Sequence, residues 1–155
     1  MHPQKRNELR RRHTAKAVFG ALLLTCVCCG YRFPSDFDSL HFDQKISAYE
    51  RYLSDNGSPR EEARASIASH GKIAADRMAQ YLAGERSGIP KTEAITIIYL
   101  VQTRHCLLKG GPAEDALESS ILQESMTPGE ETAARITLEA IKSDFTVLSN
   151  SRPCN

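Results

Sequence analysis

From Phe42 onward, apolar residues recur with the period of a helix rather than of a strand. Phe42, Ile46, Tyr49 and Leu53 fall at i, i+4, i+7 and i+11, positions that share one helical face. Ile73, Met78 and Leu82 mark a second face before Gly84; Ala116, Leu117, Ile121 and Leu122 mark another; Ile136, Ala140 and Ile141 mark the last. The stretch holding Ile95, Ile97, Ile98, Leu100 and Val101 is apolar on more than one side, which predicts a central helix covered by its neighbours. Start and stop signals agree. Ser58-Pro59-Arg60-Glu61 and Thr127-Pro128-Gly129-Glu130 read as capping boxes with proline at the first helical position. Ile89-Pro90 and Gly111-Pro112 give two more proline-led starts, and Gly84 and Gly110 sit where helices should stop. No segment sustains the alternation of a half-buried strand. The expectation is an all-α fold of about six helices, forming one domain over residues 39–145 with 146–155 as a tail.

Internal repetition extends this reading. The segments "PREEARASI" from Pro59, "PKTEAITII" from Pro90 and "PGEETAARI" from Pro128 share a proline, an acid three residues on (Glu62, Glu93, Glu131) and an isoleucine eight on (Ile67, Ile98, Ile136). Between them, "AADRMAQYL" from Ala74 and "AEDALESSI" from Ala113 align Asp76 with Asp115, Met78 with Leu117 and Leu82 with Ile121. Spacings of 31, 38 and 39 residues are those of stacked helical hairpins. The run "IASHGKIAADRMAQYLAGE" resembles the turn and second helix of a HEAT-type repeat, and that resemblance, over about residues 58–143, implies a short solenoid. A compact helical bundle using the same proline caps is the alternative.

Charge divides the chain. Its 155 residues are 41% hydrophobic and 25% charged, ordinary for one globular domain. Residues 1–25 carry six Lys/Arg against the single acid Glu8, which leaves fourteen bases and eighteen acids, a net charge of −4, after them. An acidic body excludes nucleic acid as the expected target, because phosphate binding needs a basic face. The basic leader followed by the apolar run Ala17 to Cys29 has the order of a secretory signal. Thirteen residues at ~1.5 Å each span about 20 Å, short of the ~30 Å hydrocarbon core, so an uncleaved anchor is the weaker alternative.

The run ends in "TCVCCGYRF", and a cysteine at the end of such an apolar segment resembles the signal of bacterial envelope lipoproteins. The first residues after the cut, "CGYRF", are similar to those of several such proteins, including lipopolysaccharide-assembly lipoproteins. The resemblance covers the first thirty-odd residues. It implies a signal over 1–28, acylation of Cys29 (with palmitate among the chains expected), a tether over 29–38, and a membrane-anchored domain facing the periplasm, at the outer rather than the inner membrane. Cys29 is preferred over Cys26 because small Cys28 precedes it, where Thr25 is a poor residue just before a cut.

Cleavage at Cys29 leaves Cys106 and Cys154, an even pair in an oxidising compartment. Their bridge would close a loop of about 48 residues, worth roughly 3 to 5 kcal/mol in the chain-entropy model; a buried Cys106 thiol and a free Cys154 in the tail are the alternative. Zinc at Cys26, Cys28 and Cys29 is not expected, since structural zinc takes two separated ligand pairs. No H-E-x-x-H, G-x-S-x-G or phosphate-binding glycine loop occurs, so neither metal nor cofactor is expected. His70 reads as a turn residue. The paired carboxylates Glu61/Glu62, Glu114/Asp115 and Glu130/Glu131 sit in first helical turns, where the helix dipole alone accounts for them. Two functional classes remain. One is an envelope adaptor that holds a protein or peptide between helical hairpins, analogous in size and class to the pilotins that escort secretion-channel subunits, with Tyr49, Tyr52, Tyr81 and Tyr99 as its expected contact residues. The other is an exported enzyme, which clustered, desolvated Asp and His would mark.

Overall fold

A computed structural model describes residues 32–105, 108–123 and 125–143. Within them a 3-10 turn, Phe37–Ser39, precedes six helices: α1 Phe42–Asn56, α2 Glu61–Ala68, α3 Lys72–Leu82, α4 Lys91–His105, α5 Pro112–Leu122 and α6 Pro128–Lys142. No strand occurs among the described residues, so the domain is all-α.

Local chemistry explains most boundaries. Thr127 opens α6 with both halves of its box made: the Glu130 carboxylate accepts from the Thr127 N–H at 2.8 Å, and the Glu130 N–H donates to the Thr127 hydroxyl at 3.4 Å. At the end of α1, Gly57 takes φ 66° and its N–H donates to the Leu53 carbonyl at 2.8 Å. Gly84 does the same work after α3 at φ 76°, where the Glu85 N–H reaches back to the Gln80 carbonyl at 2.9 Å. These are left-handed positions that glycine adopts without steric penalty. The box expected at Ser58 is not made. α2 starts at Glu61 because Arg60 stays extended at φ −114° and ψ 126°, with its guanidinium 4.7 Å from the Phe33 ring centre and 5.9 Å from that of Tyr52. A box that the sequence pattern did not announce opens α1, where the His41 N–H donates to Gln44 Oε1 at 3.1 Å.

Helices next but one in sequence lie side by side. α4 packs against α2 on one flank and α6 on the other, α3 packs against α5, and the broadest contact joins α3 to α4. α4 is the central element: Ala94, Ile95, Ile97, Ile98 and Val101 are all at most 1% exposed. Its all-round apolarity reflects neighbours on three sides. Ile46, Ile67, Met78, Leu117 and Ile141 complete the core, each side chain contributing on the order of 1.5 to 3 kcal/mol of burial free energy.

Three apolar residues expected in the core face outward: Ile73 at 63%, Leu122 at 82% and Ile136 at 54% exposure. Ile136 departs from the repeat. The three repeated prolines stand two residues before α2, one residue before α4 and at the first position of α6. The shared proline therefore does not stand at one helical position in the three segments. Ile67 and Ile98 are buried, while on α6 Thr137 and Ile141 take the inner face. The shared acid diverges as well: Glu62 is exposed and Glu93 is buried.

The folded domain also begins before the expected end of the tether. Phe37 is 4% exposed, its ring 4.5 Å from that of Phe33, and Phe33 meets Tyr52 edge-on at 5.2 Å. Together these rings bury apolar area that a solvated tether would leave in water.

Candidate functional site

One assembly of ionisable groups lies inside the domain. Three helices each supply one side chain: Tyr49 from α1, Arg64 from α2 and Glu93 from α4. Arg64 Nε donates to Glu93 Oε2 at 2.7 Å, and its Nη2 donates to Oε1 to complete a fork. The Tyr49 hydroxyl donates to Oε2 at 2.8 Å. Glu93 is 4% exposed and Tyr49 wholly buried. Burial, reinforced by the bond to Glu93, pushes the Tyr49 phenol far above its ordinary range, and the bond to Glu93 raises Arg64 further. A carboxylate matched in this way ties three helices together.

The same helix α1 makes three more polar ties. Lys45 Nζ donates to Ser66 Oγ of α2 at 2.9 Å. Arg77 Nη2 of α3 donates to Asp43 at 2.9 Å. The Tyr81 hydroxyl of α3 donates to Glu50, and burial together with that bond lifts its phenol to about 12. Tyr81 lies under Arg86, whose guanidinium is 5.7 Å from the ring centre. His70 sits in the α2–α3 turn with its ring 5.1 Å from that of Phe42. Desolvation, followed by the nearby Lys45 charge, lowers its pKa.

A groove of about 560 Å3 lies between α3 and α5, open to solvent. Ala79, Ala83, Ala116, Ser119 and Ser120 make its floor, and Asp76, Glu85 and Asp115 are its charged groups, with Gln80 and Gln123 beside them. Small side chains on two packed helices leave the space; carboxylates on their outer edges set its potential. Asp76 is paired with Lys72 at 2.6 Å.

Of the four tyrosines expected as contact residues, two are buried. Tyr49 and Tyr81 are 0% and 3% exposed, because each hydroxyl has a carboxylate on a neighbouring helix to receive it. Tyr52 is half-buried against Phe33, Tyr99 is half-buried on α4, and none of the four lines the groove. The signal for the groove was nevertheless present: Asp76 and Asp115 are the aligned acids of the internal repeat, and the structure brings both to one depression. Met78 and Leu117, aligned in the same way, are both wholly buried. Cys26, Cys29, Cys106 and Cys154, and with them the acylation and the bridge, lie outside the described residues. Among the described residues no three His, Cys, Asp or Glu are placed to hold a metal ion, and no helix is long and apolar enough to cross a membrane. No protein-family model matches the chain, and no curated protein or solved structure matches it significantly.

Proposed function

We propose that this chain is a membrane-tethered envelope lipoprotein whose helical domain is a protein-docking module, a short stack of helical hairpins presenting a groove to a partner. The observation that carries the docking half is the open groove between α3 and α5: its floor is made of small side chains, and none of the polar clasps that hold the helices together is spent on it. The tether half is supported by the sequence, through the basic leader, the apolar run and the cysteines at its end.

The enzyme reading has the Tyr49–Arg64–Glu93 cluster as its candidate, and the geometry of that cluster favours a clamp. Both Glu93 oxygens are occupied by donors from the domain itself, whereas a general base needs a free lone pair within reach of substrate.

Two measurements test the two halves separately. The intact mass of protein extracted from membranes is expected to begin at Cys29 with added acyl mass; a start upstream of Cys26 without acyl mass contradicts the tether. A photo-crosslinking residue in place of Ser119 is expected to capture one discrete envelope protein in cells, identified by mass spectrometry. The same residue in place of Glu139, on the exposed face of α6, is expected not to capture it. Equal capture from both positions contradicts docking at the groove.

A further inference from the structure

The groove has flanks as well as a floor. Ile73 is 63% and Leu122 is 82% exposed. Ile73 stands seven residues before Gln80, and Leu122 seven after Asp115, and seven residues at about 100° each return a helix to within about 20° of the same direction. Gln80 and Asp115 both line the groove. The two exposed apolar side chains therefore continue the groove-facing stripes of α3 and α5 beyond the depression itself, one from the first turn of α3 and the other from the last turn of α5.

Charge selects among possible occupants. Asp76 is neutralised by Lys72, while Glu85 and Asp115 have no cation partner among the described residues, and no lysine or arginine lines the groove. Two uncompensated carboxylates repel phosphate and nucleic acid and attract a cation-bearing ligand. An open trough with apolar ends fits an extended chain better than an enclosed small molecule, which cavities bury on most sides.

We infer that the α3–α5 groove binds a basic peptide segment of a partner protein, its lysine or arginine side chains facing Glu85 and Asp115 and its apolar side chains resting on Ile73 and Leu122. This rests on the docking reading above and names the chemistry of the partner. Apolar contact supplies affinity and the carboxylates supply selection and register.

The test uses the full chain in nonionic detergent and two short fluorescein-labelled peptides, one of lysine and leucine, the other of glutamate and leucine, followed by fluorescence anisotropy. The lysine peptide is expected to bind and the glutamate peptide not. Combining Glu85→Gln with Asp115→Asn is expected to weaken the lysine peptide about tenfold and to flatten its salt dependence. A control pair, Glu61→Gln with Glu139→Gln, removes the same charge elsewhere and is expected to leave binding unchanged. All four side chains are exposed, and each pair removes one first-turn acid, Asp115 or Glu61, so the two double variants should melt at similar temperatures. Leu122→Ser is expected to weaken the peptide independently of salt. No binding, equal binding of both peptides, or equal losses in the two double variants overturns the inference. If those results come with selective capture from Ser119, docking stands and only the basic chemistry falls.

Discussion

Removing the hydroxyl of Tyr49 tests the clamp at its most buried point. Tyr49→Phe keeps the ring, which is wholly buried, and deletes one donor to Glu93 while Arg64 still forks onto the carboxylate. A hydrogen bond to a charged group contributes about 1.5 to 3 kcal/mol, and the low exposure of Glu93 argues for the upper half of that range. Glu93→Gln instead removes the charge opposite Arg64. Because the Arg64 side chain keeps 24% of its exposure, it recovers some hydration, and the expected cost is about 2 to 3 kcal/mol, below that of a fully buried broken pair. The double variant should lose less than the sum by about 1 to 2 kcal/mol, since the second change deletes an interaction that is already gone. Urea unfolding followed by far-UV circular dichroism measures all three. In a domain of this size each kcal/mol lowers the melting temperature by about 4 °C. A loss below about 0.5 kcal/mol for Tyr49→Phe with no coupling to Glu93→Gln means that the cluster does not hold α1 to α2 and α4.

Further outcomes follow from the same geometry. Both buried phenols ionise late, so tyrosinate absorbance of the folded protein should lag that of the unfolded chain; the stability they contribute is complete below about pH 10 and falls as pH rises toward the value near 12 held by Tyr81, and urea midpoints that are flat across that interval contradict it. Burial, followed by the Lys45 charge, holds the His70 pKa below its ordinary value: its contribution is present above about pH 6.5 and lost as pH falls through its lower folded value, and His70→Phe should flatten that acid limb. Gln102 is 1% exposed and its amide finds no partner among the described residues, so Gln102→Met should raise stability by about 1 kcal/mol; a loss of that size indicates a partner for the amide. Thr127→Ala breaks the capping box of α6 and should cost about 1 kcal/mol, read from the same urea curves.

What could be read from the chain is what local chemistry determines. The Thr127 box involves four consecutive residues, and α4 is apolar enough that only a central position accommodates it. The faces of thinner helices were harder to assign. Ile73 and Leu122 each stand five residues from a buried residue, Met78 and Leu117, a step of about 140° around the helix that takes them off the core-facing stripe, and both face outward. Tyr49 and Tyr81 were misplaced because a phenol suits a wet surface and a satisfied interior equally. Their acceptors lie 44 and 31 residues away, and only the convergence of α1 with α3 and α4 brings them together. The groove left a partial trace, the aligned Asp76 and Asp115, whose common role was hidden because an acid near a helix start already has an explanation in the dipole.

The central claim is that the α3–α5 groove is the working surface. Amide and methyl chemical shifts of the isotopically labelled full chain, recorded while the lysine and leucine peptide is added, test it most directly. Shifts concentrated at Ile73, Ala79, Glu85, Asp115 and Leu122, with α1 and the outer face of α6 unmoved, are the predicted result. Shifts centred on α1, on α2 or on the exposed face of α6 contradict it, as does a spectrum that does not change at all.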